Sequence, residues 1–277
     1  MSTKEKTDTG WLAELNLEFS EGRSKTFLSK RSQVGPLTLQ RPFYPEDGVC
    51  HVYILHPPGG IVGGDELSIN INSNSGTNAL ITAPGAAKVY RTIRGKYSIV
   101  KQDIVVENGS TLEWLPMETI IFPGANSKFS TRFSLYGNAK LAAWEIQCLG
   151  RPAINERFHS GKLKFSLELW KDGVPIVIDK LKVDHTDIDN IASLRGFPVF
   201  GTFLISANDH DILERVRDLI TENDSYIAGA TQVDEFIIIR CLSSKTHLIQ
   251  ELFRTIWIEL RHLIIGKESV PPRIWLT

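Results

Sequence analysis

Cysteine is scarce in this 277-residue sequence: Cys50, Cys148 and Cys241 stand far apart, with no CxxC pair. So odd and sparse a set argues against a disulfide framework and a structural zinc site, and it suits a reducing, cytoplasmic compartment. Long apolar runs are missing as well. No stretch reaches the roughly 18 residues a membrane-spanning helix needs, and Met1–Gly10 is polar, without the apolar core of a secretory signal. Net charge is almost nil, 31 Lys and Arg against 32 Asp and Glu, which gives no electrostatic footing for nucleic acid or a membrane surface. The seven histidines include no HExxH or HxH pair, and GxxxxGK[ST], GxGxxG and GxSxG are all absent, so the usual marks of a phosphate loop, a dinucleotide site or a serine nucleophile are lacking.

What is present is strand pattern. Leu67, Ile69 and Ile71 alternate with Ser68, Asn70 and Asn72, and Leu163, Phe165, Leu167 and Leu169 alternate with polar residues. Period-two alternation marks strands with one dry and one wet face. Strand signals of this kind run from Leu12 to about Phe203. Asp172-Gly173 reads as a hairpin turn between two such runs, Asn108-Gly109 reads the same way, and Gly137-Asn138 is a third candidate. Two segments near the C-terminus read as helices. One covers Ile212 to Ile220, capped by Asn208 or Asp209. The other runs from about Lys245 to Ile265, with Ser244 as cap and Gly266 as stop. Between them Glu235 to Leu242 reads as a strand. Strands without regularly interspersed helices argue against a parallel α/β fold. Residues 1–10 are expected to be a flexible tail and 11–277 one domain.

Four stretches stand out for shape. In His56-Pro57-Pro58-Gly59-Gly60-Ile61-Val62-Gly63-Gly64-Asp65-Glu66, prolines deny ladder hydrogen bonds and glycines open conformations closed to other residues, with Gly60 or Gly63 as the expected positive-φ positions. The segment reads as a tight corner or as a loop where a partner or ion approaches bare backbone. Thr82 to Arg91 is a second stretch, small-residue rich, in which Lys88, Tyr90 and Arg91 read by default as solvated strand residues. Leu112 to Glu118 and Trp144 to Pro152 place Glu113 and Glu145 beside large apolar residues. By strand alternation both carboxylates are expected to face solvent, the alternative being burial with a partner. Cys50 and His51, adjacent in a strand, point to opposite faces and make poor joint metal ligands.

These stretches, with Gly35-Pro36-Leu37, Gln40 to Glu46, Cys50-His51, Pro84-Gly85-Ala86, Cys148 to Pro152 and Pro272-Arg273-Ile274-Trp275, resemble in order the urease accessory protein UreD (UreH) family. The run from His56 to Asp65 is the most specific of them. Ala83 and Ala87 depart from residues that are often bulkier or hydroxylated in the family.

The resemblance implies a mainly β fold, a β-helix-like stack of strands with two helices in the C-terminal third. It implies a scaffold without catalytic turnover that binds UreF and, through it, the GTPase UreG, docks on apo-urease and assists nickel insertion. It implies no tightly bound cofactor: nickel is in transit, and GTP belongs to UreG. Partner contacts are expected on the His56–Gly64 loop (His56, Pro57, Pro58, Gly59, Gly60, Gly63, Gly64), on Tyr90 and Arg91, and on the last helix, where Phe253 and Trp257 widen the apolar face beyond one core stripe. A transit path needs weak, spaced ligands, and Asp65, Glu66, Glu145 and Asp179 are its candidates. Two other readings compete: a β-fold hydrolase using Asp65 or Glu113 with a histidine, and a β-solenoid carbohydrate-binding module. The second wants a ladder of exposed aromatics, and the 6 tryptophans are scattered.

Overall fold

Alternation repeated along the chain builds a stack of coils. The structure, a computed structural model, describes residues 10–93, 95–220 and 225–276; apart from Gly10, the expected tail lies outside them. The chain opens with a hairpin of β1 (Leu12–Glu21) and β2 (Thr26–Val34), then pairs β3 (Thr38–Leu39) with β4 (Cys50–Leu55). Three-sided coils follow. β5 (Glu66–Ser73), β6 (Asn78–Thr82) and β7 (Ala87–Val89) form one. β8 (Ser98–Val106), β9 (Thr111–Leu115) and β10 (Thr119–Ile121) form the next. β11 (Asn126–Leu135) and the long β12 (Lys140–Arg151) continue the winding, and after the short β13 (Glu156–Arg157) comes β14 (Lys162–Lys171).

Equivalent strands of successive coils pair in parallel. β1, β5, β8, β11 and β14 make one sheet, and β4, β6, β9 and β12 make the other. β15 (Val174–Asp184) closes the first sheet by antiparallel pairing with β14. β16 (Val199–Ser206) and the hairpin of β17 (Tyr226–Val233) and β18 (Phe236–Ser243) extend the second. The register explains why the alternation recurs: Leu67, Val100, Phe129 and Phe165 lie side by side across four strands, and all four are buried. They face Ile81, Leu112, Trp114 and Leu141 of the second sheet in a single core between the sheets. Ile61, Val89, Ile121 and Leu149 form a matching buried row on the third side of the coils.

Asp172-Gly173 is the hairpin turn its sequence announces, with φ of 49° and 81°. Asn108-Gly109 and Gly137-Asn138 are not hairpins. Each turns the chain from the first sheet into the second, so the strands it joins never pair with one another. These corners stack coil on coil instead: the Asn108 side chain accepts from the Asn138 N–H at 3.0 Å, and Ser110 Oγ donates to the Asn74 carbonyl at 2.7 Å.

The outer face of the second sheet is covered by α2 (Thr246–Ile264), with α1 (His210–Leu219) beside it. Asp209 caps α1 by accepting from the Asp211 N–H at 2.8 Å. Ser244 does not cap α2. Lys245 holds that position without a side-chain bond, and its N–H goes to Ser243 Oγ at 3.2 Å. Gly266, at φ +78°, stops the helix. Phe253, Ile256 and Trp257 are fully buried, so the wide apolar face of α2 is not the partner surface expected of Phe253 and Trp257. The sheet takes one side of that face, and the C-terminal Trp275 takes another, packing on Trp257 and Trp144 at ring separations of 5.2 and 5.5 Å.

Gly201 of β16 lets α2 come this close, since a Cβ there would stand 3.0 Å from both Ile249 and Phe253. Gly201→Val is therefore expected to cost about 2 kcal/mol by overpacking. The midpoint of chemical unfolding reads this directly, and an unchanged midpoint would mean that α2 lies looser on the sheet than the coordinates place it.

Candidate functional site

The His56–Glu66 segment stacks ahead of β7 through Ile61 and is the third side of a first coil whose other sides are β1 and β4, and three devices shape it. Gly59 and Gly64 take the positive φ values, +78° and +100°, while Gly60 and Gly63, expected to do so, do not. They are small because of their neighbours: a Cβ on Gly60 would lie 2.1 Å from the Tyr90 ring, and one on Gly63 2.1 Å from the Thr92 hydroxyl. Asp65 is the staple. It is buried, and its two oxygens accept from the N–H groups of Trp11 and Val62, each at 2.8 Å. This ties the loop to the start of the described chain, and both oxygens are committed to that task. Tyr90 packs at a tilt on Phe122, 4.9 Å between ring centres, and its hydroxyl reaches the Gly59 carbonyl at 3.4 Å. Two motif stretches distant in sequence are thus one surface, with Pro57, Pro58, Gly59, Tyr90 and Arg91 exposed on it.

Behind that surface a cavity of about 300 Å³ runs in between the sheets. Its rim includes His56, Gly59, Gly60 and the stretch Ala83 to Lys88, and its walls include Gln102, Trp114, Met117 and Glu145. Glu145 was expected to face solvent by alternation. It points inward from β12 and is buried, because the inward face of this strand belongs to the core between two sheets. Its Oε1 accepts from the Trp114 indole at 3.1 Å and the Thr131 hydroxyl at 3.2 Å, whereas Oε2 has Gln147 Nε2 at 3.5 Å. Burial pushes its pKa up to about 7, against the pull of those two donors. His56, half-buried at the rim, is shifted the other way: burial lowers its pKa, the charge of Asp65 opposes this, and the neutral, lone-pair-bearing imidazole is favoured.

Glu113, also expected at the surface, is buried on the opposite face of the second sheet. There it accepts from Arg261 of α2 at 2.7 and 3.0 Å and from the Trp257 indole at 2.6 Å. Arg261 also holds Glu46, through two contacts of 2.7 Å, and Glu46 in turn holds His51 Nε2 at 2.8 Å. This network was not anticipated, although Arg261 sits on the apolar stripe of its helix, four residues after Trp257, where a charge has to be buried. Glu66 is exposed at the start of β5, and Asp179 of β15 makes a two-pronged pair with Arg240 of β18, whose Nη2 and Nε donate at 2.8 and 3.1 Å. Of the four carboxylates suggested for a path, only Glu145 lines the cavity. Among the described residues no three His, Cys, Asp or Glu side chains are grouped to hold a metal. The thiols offer no substitute, since burial raises the pKa of Cys50 and pushes those of Cys148 and Cys241 up to about 12. A hydrolase built on Glu113 or Asp65 lacks its acid, both being committed to structural bonds.

The family model of the UreD urease accessory protein matches residues 12–276. The chain is 44% identical over 268 residues to a urease accessory protein UreD of Citrobacter koseri, covering 97% of this chain and 92% of that protein. It is also 44% identical to that of Klebsiella aerogenes, with 97% of each covered, and 43% identical to that of Pseudomonas putida, with 98% and 96% covered. No helix among the described residues is long and apolar enough to cross a membrane.

The Glu145 shift has a definite sign. A carboxyl whose folded pKa is raised from 4.5 to about 7 favours the folded state below pH 4.5, and this contribution is lost as pH climbs through about 7. A rise of that size corresponds to roughly 3 kcal/mol. Glu145→Gln, which stays neutral, is expected to remove that slope, so that the variant gains on the wild type between pH 4.5 and 7 and keeps the gain at pH 8. Parallel denaturation series across pH check this, and parallel curves for the two proteins would contradict it.

Proposed function

The chain belongs to the UreD family of urease accessory proteins, and on that footing we propose that it is a scaffold and conduit in the nickel loading of urease. In this reading it binds UreF and, through it, the GTPase UreG, and it docks on apo-urease in the cytoplasm. It turns over no substrate itself. GTP is consumed by UreG, and nickel is cargo.

The observation that carries the reading is the cavity that opens beside the Gly59–Gly60 loop and reaches the buried carboxyl of Glu145. A cation leaving water needs compensating ligands, yet a closed set of three or four would retain it. The cavity offers few and unlike donors, the His56 imidazole and Glu145, while the Met117 sulfur in its wall is engaged by the Arg254 guanidinium at 3.5 Å. Glu145 Oε2, held only by the long contact from Gln147 Nε2 at 3.5 Å, suits a passing cation, and a carboxyl that titrates near 7 exchanges a proton for it at little cost. Asp65 is better understood as the staple that keeps the mouth in shape, and Glu66 and Asp179 lie off this route.

Glu145→Gln and Glu145→Leu are expected to leave the complex with UreF and UreG intact while the nickel content of activated urease falls several-fold, as read by elemental analysis of purified urease. Full nickel content with the complex present would leave the chain a docking scaffold only.

A further inference from the structure

The 21 glycines divide by cause. Fourteen have positive φ, and at five more an added Cβ would press on a neighbour at 3.0 Å or less. That leaves Gly85 and Gly229, at ordinary φ with nothing within 4 Å of the missing side chain. Their own chain gives no reason for them to be bare. Gly229 lies on β17, the last strand of the second sheet, where the Arg217 guanidinium already reaches the Ala230 carbonyl at 3.4 Å. Gly85 lies exposed on the rim of the cavity, between Pro84 and Ala86.

The rim around Gly85 is made for protein rather than for water. Pro57 and Pro58 are exposed between its lining residues His56 and Gly59, and the exposed Tyr90 lies against Gly59 and Gly60. From His56 to Gly64 and from Thr82 to Ile93 there is no Asp or Glu, and the charged residues are Lys88 and Arg91, both exposed. Prolines at 57, 58 and 84 withhold N–H groups, which leaves carbonyls and apolar rings for a neighbour to lie against. Positive charge beside an apolar rim fits a negatively charged surface and sets its orientation.

We propose that the rim formed by Pro57–Gly59, Pro84–Gly85, Lys88 and Arg91 is a docking surface for an acidic protein partner, whose extended backbone lies against Gly85 and closes the cavity mouth. This deepens the scaffold-and-conduit reading and rests on it. The bare backbone at Gly85 lets the partner come closer than any side chain would allow, and the seal excludes water where cargo crosses from one protein to the other.

The test uses the full chain with UreF, UreG and apo-urease as separate immobilised probes. Gly85→Val is expected to melt at the wild-type temperature, because an added Cβ has nothing within 4 Å and the position is exposed, yet to weaken binding to one probe by at least about tenfold. The double variant K88E/R91E weakens binding to the same probe and flattens its salt dependence. Gly229→Val leaves all binding unchanged. Wild-type affinities in both Gly85→Val and K88E/R91E, or a loss that follows Gly229→Val instead, would overturn the docking surface while leaving the broader reading in place. A wild-type chain that binds none of the three probes would overturn that reading, and the docking surface with it.

Discussion

Arg261 is fully buried, and carboxylates from two distant parts of the chain meet it: Glu113, 148 residues away, and Glu46, 215 residues away. Burial opposes a charged guanidinium, but the bonds to Glu113 and Glu46 outweigh it and raise its pKa. Burial opposes the Glu46 charge as well, but the bonds from His51 and Arg261 hold its pKa below the ordinary value. A network of this kind is weak grounds for claiming stability, since an apolar replacement of similar shape often serves as well. Removing one member is another matter, because it strands a buried charge at a cost of roughly 3–5 kcal/mol. Its value here is positional. It fixes α2 over the second sheet and fixes the Glu46 loop over the end of α2. It also fixes β9, in which Glu113 faces the helix and the next residue, Trp114, faces the cavity and donates to Glu145. The docking of the last helix and the placing of the buried acid share one strand.

The coils give that arrangement its length. Parallel strands in register put like residues side by side, so one apolar row serves several coils and one corner design recurs. The His56–Glu66 segment completes the first coil through Ile61, but with glycine and proline in place of a regular strand. Asp65 then replaces the missing ladder bonds by accepting two N–H groups. The result is a firm loop beside an open mouth. Where neighbouring coils fill the space between the sheets with Phe and Leu, this region is lined partly by Gly, Ala and Thr, and the cavity is the volume they leave.

Much of this was legible in the sequence. The alternation at Leu67–Ile71 and Leu163–Leu169, the Asp209 cap and the Gly266 stop depend on neighbours in sequence, and local chemistry settles them. Asn108-Gly109 shows where local chemistry ends: the dipeptide specifies a turn, but not whether the flanking strands pair with each other or with strands one coil away. Glu113 and Glu145 were misjudged because alternation separates two faces without saying that both are covered, one by α2 and one by the opposite sheet. Phe253 and Trp257 read as surplus apolar surface because a helical stripe cannot foresee Trp275 folding back onto it. The partners of Arg261 left no local signal, being set by contacts across most of the chain.

The central claim is that the cavity ending at Glu145 is where nickel passes. Crystals of the chain in complex with UreF, exposed to nickel and measured on both sides of the nickel absorption edge, test it most directly. The account predicts anomalous density inside the cavity, within coordination reach of the Glu145 carboxylate and absent from Glu145→Gln crystals grown alike. Nickel found only at exposed histidines such as His185, His210 or His247, with the cavity empty in both proteins, would contradict it.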